Sequence, residues 1–154
     1  MKKVLIAYFS SSGKTEQMAD YIAEGVRISG QQAAVKKIAD IKDPSVIKGF
    51  DGLIVGSPTF SQSTPNAVKK FLDAAIGAGA AGKLAGAFGS YQHDVGYSHE
   101  DYAPAQILAY LEKQGKLIPF DLGAFHLQEE VIGTEDGRKN CHDYGRVFGE
   151  KLGA

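Results

Sequence analysis

The chain switches between two hydrophobic periods. Residues 4–9, Val4-Leu5-Ile6-Ala7-Tyr8-Phe9, are apolar without a break. So short a run without polar alternation predicts a strand buried on both faces, as in a parallel sheet covered by helices. From Thr15 to Ser29 the period changes. Met18, Ala19, Ile22, Ala23 and Val26 fall on one helical face, and Gly30 is placed to end the helix. Residues 33–39 read as a second, weaker strand. Asp43-Pro44 opens a short helical turn carrying Val46 and Ile47. Leu53-Ile54-Val55 is a short buried strand ending in Gly56-Ser57-Pro58. Thr64-Pro65 predicts a helix start, a capping hydroxyl followed by proline at the first helical position. Val68, Phe71, Leu72, Ala75 and Ile76 form its apolar face.

Gly77 to Gly82 is a Gly/Ala connector. Leu84-Ala85-Gly86-Ala87-Phe88 is the fourth strand, and its small residues predict helices packed close against it. A helix over 101–114 turns Ile107, Leu108 and Leu111 inward. Residues 116–122 start a fifth strand, and 137–152 form the last helix. Cys141, Tyr144, Phe148 and Leu152 share one face of that helix, so Cys141 reads as a core residue rather than a nucleophile.

Strands alternating with helices predict an α/β fold: a doubly wound, five-stranded parallel sheet with helices on both faces. Such sheets bind ligands beyond the carboxyl ends of their strands. Residues 1–154 show no linker, internal repeat or low-complexity tract and are expected to form a single domain. With 44% apolar and 23% charged residues, the composition is that of a globular domain. A net charge of −1 gives no general pull toward nucleic acid or anionic lipid. The single cysteine fits a reducing compartment. Met1-Lys2-Lys3 precedes an apolar run too short for a signal peptide, and no segment is long enough to span a bilayer. The expectation is a soluble, cytoplasmic protein.

Candidate chemistry lies in the loops that follow the first, third and fourth strands. Ser10-Ser11-Ser12-Gly13-Lys14-Thr15 joins a buried strand to a helix. Small residues let the backbone turn tightly there. Amides at a helix start favour an anion, and hydroxyls on Ser10, Ser12 and Thr15 add donors without charge. This suits a phosphate monoester. The nucleotide-triphosphate loop is a poor match, because Tyr8 stands where its first glycine belongs. The third strand also lacks a terminal Asp for magnesium. Alone, such a loop is weak evidence, since it also reads as a simple helix cap.

The second loop, Ser57-Pro58-Thr59-Phe60-Ser61-Gln62, and the third, Gly89-Ser90-Tyr91-Gln92-His93-Asp94-Val95-Gly96-Tyr97, both carry aromatic residues among small polar ones. Hydroxyls and amides for a phosphate, with two aromatic loops for a planar heterocycle, fit a phosphate joined through a polyol to a flat ring. FMN is such a molecule.

Ser10 to Thr15 resembles the flavodoxin phosphate signature, [ST]-x-[ST]-G-x-[ST]. Gly56-Ser57-Pro58-Thr59-Phe60 and Phe88-Gly89-Ser90-Tyr91 are similar to the second and third flavin loops. Among these proteins they look closest to the flavodoxin-like domain of A-type diflavin flavoproteins. The resemblance covers essentially the whole chain. It implies strand order 2-1-3-4-5, bound FMN, and electron transfer between a reductase and a redox acceptor, with no catalytic side chain and no metal. By position, Ser10, Ser11, Ser12, Gly13, Lys14 and Thr15 are implied to hold the phosphate. Pro58, Thr59, Phe60, Ser61 and Gln62 supply the second loop, with Thr59 and Phe60 at the inner flavin face. Gly89, Ser90, Tyr91 and Gln92 follow the ring edge. Tyr97, Tyr91 and His93 are candidates for the outer face, and Gly96 belongs to the same loop.

This chain departs from the family pattern in two places. Many flavodoxins have glycine after the inner aromatic, where the peptide turns over on reduction. Here Ser61 stands there, and a positive φ would cost a non-glycine residue about 1–3 kcal/mol. Flavodoxins are also strongly acidic, whereas this chain is nearly neutral, which weakens the salt dependence of partner docking.

His93, Asp94, His99, Glu100 and Asp101 lack the tight spacing of a metal site and read as a solvated loop and helix start. His126 and His142 have no partner visible in sequence. The alternative function is an FMN-dependent NAD(P)H:quinone oxidoreductase, which uses similar Ser-Pro-Thr loops but needs open room over the flavin. The expectation is an electron carrier rather than a stand-alone enzyme and, if an enzyme, an FMN-dependent oxidoreductase. A flavin-free interaction module is a third reading, opposed by the intact phosphate hydroxyls and Phe60. The expected partners are redox proteins, and the expected state is a monomer.

Overall fold

The computed structural model describes residues 1–59, 64–92 and 102–154. Five parallel strands form one sheet in the order β2-β1-β3-β4-β5. They are β1 (Lys3–Tyr8), β2 (Gln32–Lys37), β3 (Gly52–Gly56), β4 (Leu84–Tyr91) and β5 (Ile118–Gln128). The helices are α1 (Lys14–Ile28), α2 (Asn66–Gly77), α3 (Ala103–Gly115), the single turn α4 (Glu129–Ile132) and α5 (Glu135–Gly153). Two 3-10 segments, Ile38–Asp40 and Pro44–Gly49, join β2 to β3.

The uninterrupted apolar run of β1 is explained by two cores. Val4, Ile6 and Tyr8 point into one with Met18, Ile22 and Val26 of α1 and Cys141, Tyr144 and Phe148 of α5. Leu5 and Ala7 point into the other with Phe71 and Leu72 of α2 and Ile107 and Leu111 of α3. Alternate residues of a strand face opposite sides, so a doubly covered strand has no polar position to spare. The first core draws α1 and α5 very close together. A Cβ on Gly25 would lie 2.1 Å from the His142 carbonyl oxygen, and one on Gly145 would lie 2.0 Å from that of Ile22.

Three features change or extend the sequence reading. Helix α2 opens at Asn66, with Pro65 extended at the cap (φ −57°, ψ 146°) and no side-chain cap. The Thr64 hydroxyl instead donates to Gln106 Oε1 at 2.8 Å and ties the start of α2 to α3. Strand β5 runs past residue 122 to Gln128, because Asp121 to Gly123 form a bulge rather than an end. Its partner register jumps from Ala85↔Pro119 to Ala87↔Ala124, and Gly123 takes a φ of +74°. The Tyr144 hydroxyl fills this bulge, donating to the Gly123 carbonyl at 2.7 Å and accepting the Ala87 N–H at 3.2 Å. The turn α4 was not anticipated.

Candidate cofactor site

The loops after β1, β3 and β4 come together at the carboxyl edge of the sheet, around the point where strand order reverses. Backbone hydrogen bonds set their spacing. Phe9 N–H donates to the Gly56 carbonyl at 3.0 Å and Ser57 N–H to that of Phe88 at 3.0 Å. Thr59 N–H donates to the Ser90 carbonyl at 3.0 Å. Ladder bonding therefore continues beyond β3 as far as Thr59, which lies beside Ser90. Gly89 permits this approach, since a Cβ there would lie 1.9 Å from the Ser57 carbonyl oxygen.

The first loop ends at Gly13, which caps α1 in the left-handed conformation (φ 87°, ψ −6°) with no side-chain cap. An α-helix leaves its first amides without intrahelical acceptors. Gly13 offers them no side-chain cap, and the helix dipole adds partial positive charge. Ser10 Oγ accepts the Gly13 N–H at 3.0 Å and fixes the turn. Ser11, Ser12 and Gly13 are exposed, and Lys14 is half-buried beside them. This donor set fits a phosphate: amides, hydroxyls and one cation around an open helix start.

The structure gives several predicted residues additional partners. Thr15 is buried, and its hydroxyl lies 2.8 Å from Ser90 Oγ, which joins the first loop to the third. Thr59 Oγ1 accepts the Ala103 N–H at 2.9 Å at the start of α3. Ser57 and Pro58 are buried, with Ser57 Oγ donating to the Pro58 carbonyl at 2.8 Å. Gln92 is exposed, and its carbonyl accepts from Gln128 Nε2 at 3.2 Å. Phe60, Ser61, Gln62, His93, Gly96 and Tyr97 lie outside the described residues, as do Asp94, His99, Glu100 and Asp101. Among the described residues no group of three or more His, Cys, Asp or Glu is placed to hold a metal ion.

Sequence reasoning missed two neighbours of the site. One is acidic: Lys14, Gln92, Glu129 and Glu130 line a cavity of about 310 Å³ beside the first loop, and Ser12 Oγ donates to Glu129 Oε1 at 2.9 Å. The other is aromatic. Tyr102 stacks on His126 with ring centroids 4.2 Å apart, and Tyr91 packs against both rings. His126 thus sits between Tyr91 and Tyr102, at a place visible only once β5 is known to continue. His142, the other histidine without a predicted partner, pairs with Glu24 across α1 and α5.

Tyr8 ends β1 beside the first loop. Burial, and a 2.7 Å hydrogen bond to the Glu16 carboxylate, hold its phenol well above the ordinary range. The same bond ties down the acidic residue in the first turn of α1.

These features define an α/β protein in which three loops gather at one sheet edge, the first of them at an open helix start. A family model for the flavodoxin domain matches residues 5–117. A flavodoxin from Clostridium saccharobutylicum is 31% identical over 153 residues, covering 97% of this chain and 94% of that one. The structure of a flavodoxin from the domain Archaea superposes with a TM-score of 0.82 at 27% identity, covering 99% of both chains. An NAD(P)H dehydrogenase (quinone) from Chromohalobacter salexigens is 33% identical over 110 residues, or 58% of this chain and 55% of its own length. The chain belongs to the flavodoxin family, and FMN is the cofactor that goes with it. Among the described residues no helix is long and apolar enough to cross a membrane.

Proposed function

We propose that this protein is an electron carrier, a single domain that binds one FMN between its three loops and passes electrons from a reductase to a redox acceptor. The observation that carries this reading is the joining of the three loops. Thr15 Oγ1 meets Ser90 Oγ at 2.8 Å, and Thr59 N–H bonds to the Ser90 carbonyl at 3.0 Å. Ser90 thereby holds the phosphate loop and the second loop in register with the third. Bound FMN supplies reversible electron uptake, and the protein supplies placement and electrostatics. The amides at the start of α1, with Ser10, Ser11, Ser12, Gly13 and Lys14, hold the phosphate. Pro58, Thr59, Phe60, Ser61 and Gln62 line one side of the ring. Gly89, Ser90, Tyr91 and Gln92 follow its edge, and His93, Gly96 and Tyr97 complete that loop. No side chain is asked to act as acid, base or nucleophile. The protein works as a cytoplasmic monomer beside its redox partners.

The partial match to a quinone-reducing relative supports a second reading, direct NAD(P)H:quinone oxidoreduction. One experiment separates them: anaerobic reduction of the FMN-loaded protein, followed by visible absorbance, with NADPH tried before dithionite. Reduction by dithionite alone is expected of a carrier that needs a reductase. Rapid bleaching by NADPH alone would overturn the carrier reading in favour of the oxidoreductase.

A further inference from the structure

The phosphate loop contains a contact that a loop built for an anion does not need. The Ser12 hydroxyl, at the exposed turn of that loop, donates to Glu129 Oε1 at 2.9 Å across 117 residues. Glu129 follows directly on β5, whose last residue, Gln128, pairs with Tyr91 of the third loop. The sheet register therefore fixes where this carboxylate is delivered. It is half-buried and lines the same cavity as Lys14 and Gln92. A carboxylate is acceptor-only, so it satisfies the same kind of donor that a phosphate oxygen would. A carboxylate and a phosphate side by side repel each other.

We infer that Glu129 is an internal competitor for the FMN phosphate, a residue that sets how tightly the first loop grips the cofactor and how far FMN is favoured over riboflavin. The inference rests on the FMN reading above. Glu129 and a phosphate oxygen are alternative acceptors for the one Ser12 hydroxyl proton. When phosphate binds, Ser12 Oγ changes acceptor and the Glu129 carboxylate is left beside a second anion. The cost falls on FMN alone, because riboflavin has the ring and the polyol but no phosphate. Removing the charge at this position strengthens the phosphate contribution and leaves ring binding as it was.

The test is titration of flavin-stripped protein with FMN and, separately, with riboflavin, followed by quenching of flavin fluorescence. Wild type is compared with Glu129→Gln, Glu129→Ala and the charge control Glu135→Gln, whose site is exposed on α5. Glu129→Gln keeps an acceptor for Ser12 and removes the charge. It is expected to lower the Kd for FMN about tenfold, since close like charges are involved. The Kd for riboflavin should move less than about twofold. Glu129→Ala should raise the FMN-to-riboflavin preference in the same direction, and Glu135→Gln should leave it where it is. If FMN binds and Glu129→Gln leaves that preference unchanged or weakens FMN, the inference falls and the FMN reading stands. If Glu135→Gln matches Glu129→Gln, the effect is one of net charge and the inference also falls. If wild type binds neither flavin, the FMN reading falls and takes the inference with it.

Discussion

Thr15 Oγ1 and Ser90 Oγ lie 2.8 Å apart, both buried at 1% exposure and 75 residues apart in the chain. Each hydroxyl satisfies the other where water is excluded. Truncating one leaves its partner buried and unpaired, which costs about 1–3 kcal/mol. Ser90→Ala and Thr15→Val are each expected to lower unfolding free energy by that amount in urea titrations. The double variant should cost less than the sum, because it leaves no orphan. The same substitutions release the first loop from the third, so FMN affinity falls with them.

Tyr144 makes the corresponding link for β5. Its hydroxyl stands in for ladder bonds lost at the bulge, pairing with the Gly123 carbonyl and the Ala87 N–H. Burial raises its phenol well above the ordinary range, so it remains a neutral donor throughout the physiological pH range. Tyr144→Phe keeps the ring stacked on Phe125 and edge-on to Phe120 but removes the hydroxyl. The expected loss is about 1–3 kcal/mol. Hydrogen exchange at Ala87 N–H should rise in the variant more than at Leu5 or Ile54 in the sheet centre. Uniform exchange would show that the bulge does not depend on Tyr144.

This bulge marks where the sequence stopped being legible. The run Val4 to Phe9 declared a doubly covered strand because every position had to be apolar. The helical faces of α1 and α5 were equally plain, and Cys141 lies inward as expected. The sequence places the start of β5 within 116–122 and does not show its end, because Asp121 and Gly123 interrupt the apolar pattern there. Its continuation depends on Ala87 to Tyr91 of β4 and on Tyr144 of α5, none of them local. Glu129 was invisible for the same reason: α4 is one turn long and carries no period. The motifs located the three loops but not the side-chain partners that join them. A serine or threonine hydroxyl can serve a phosphate, a helix end or a neighbouring loop, and its spacing in sequence does not choose among these. Thr15 and Thr59 both meet protein partners in the structure.

Gly89 lets the second and third loops approach. A Cβ there would lie 1.9 Å from the Ser57 carbonyl oxygen and 3.0 Å from Pro104 Cγ. The nearer obstacle is backbone and cannot rotate away. Gly89→Ala therefore pushes β4 from the Ser57 strand end, with an overpacking cost of about 1–3 kcal/mol. It should also weaken FMN binding more than Ser90→Ala does, since it displaces backbone rather than one hydroxyl. Gly79→Ala is the control: its Cβ would meet nothing within 4 Å, and its φ of +91° lies in a connector far from the loops. It is expected to cost stability through backbone strain while leaving FMN affinity in place. Equal loss of affinity in both variants would show that Gly89 acts through stability alone.

Cys141 tests the core chemically. It is fully buried in the first core, and burial pushes its thiol up from 9.0 to about 12. The native state therefore holds this proton to higher pH than the unfolded chain does. The resulting stability is complete below the unfolded value and is lost as pH rises toward 12. Within that window one such group contributes a slope of about −1.4 kcal/mol per pH unit. Cys141→Ala should remove this component, so the difference in unfolding free energy between wild type and variant should shrink as pH rises above 9.0. At pH 8 a thiol reagent should label wild type only as fast as the protein opens, and at full thiol speed in urea. Rapid labelling of the folded protein would place Cys141 within reach of solvent and contradict the packing of α5 against α1.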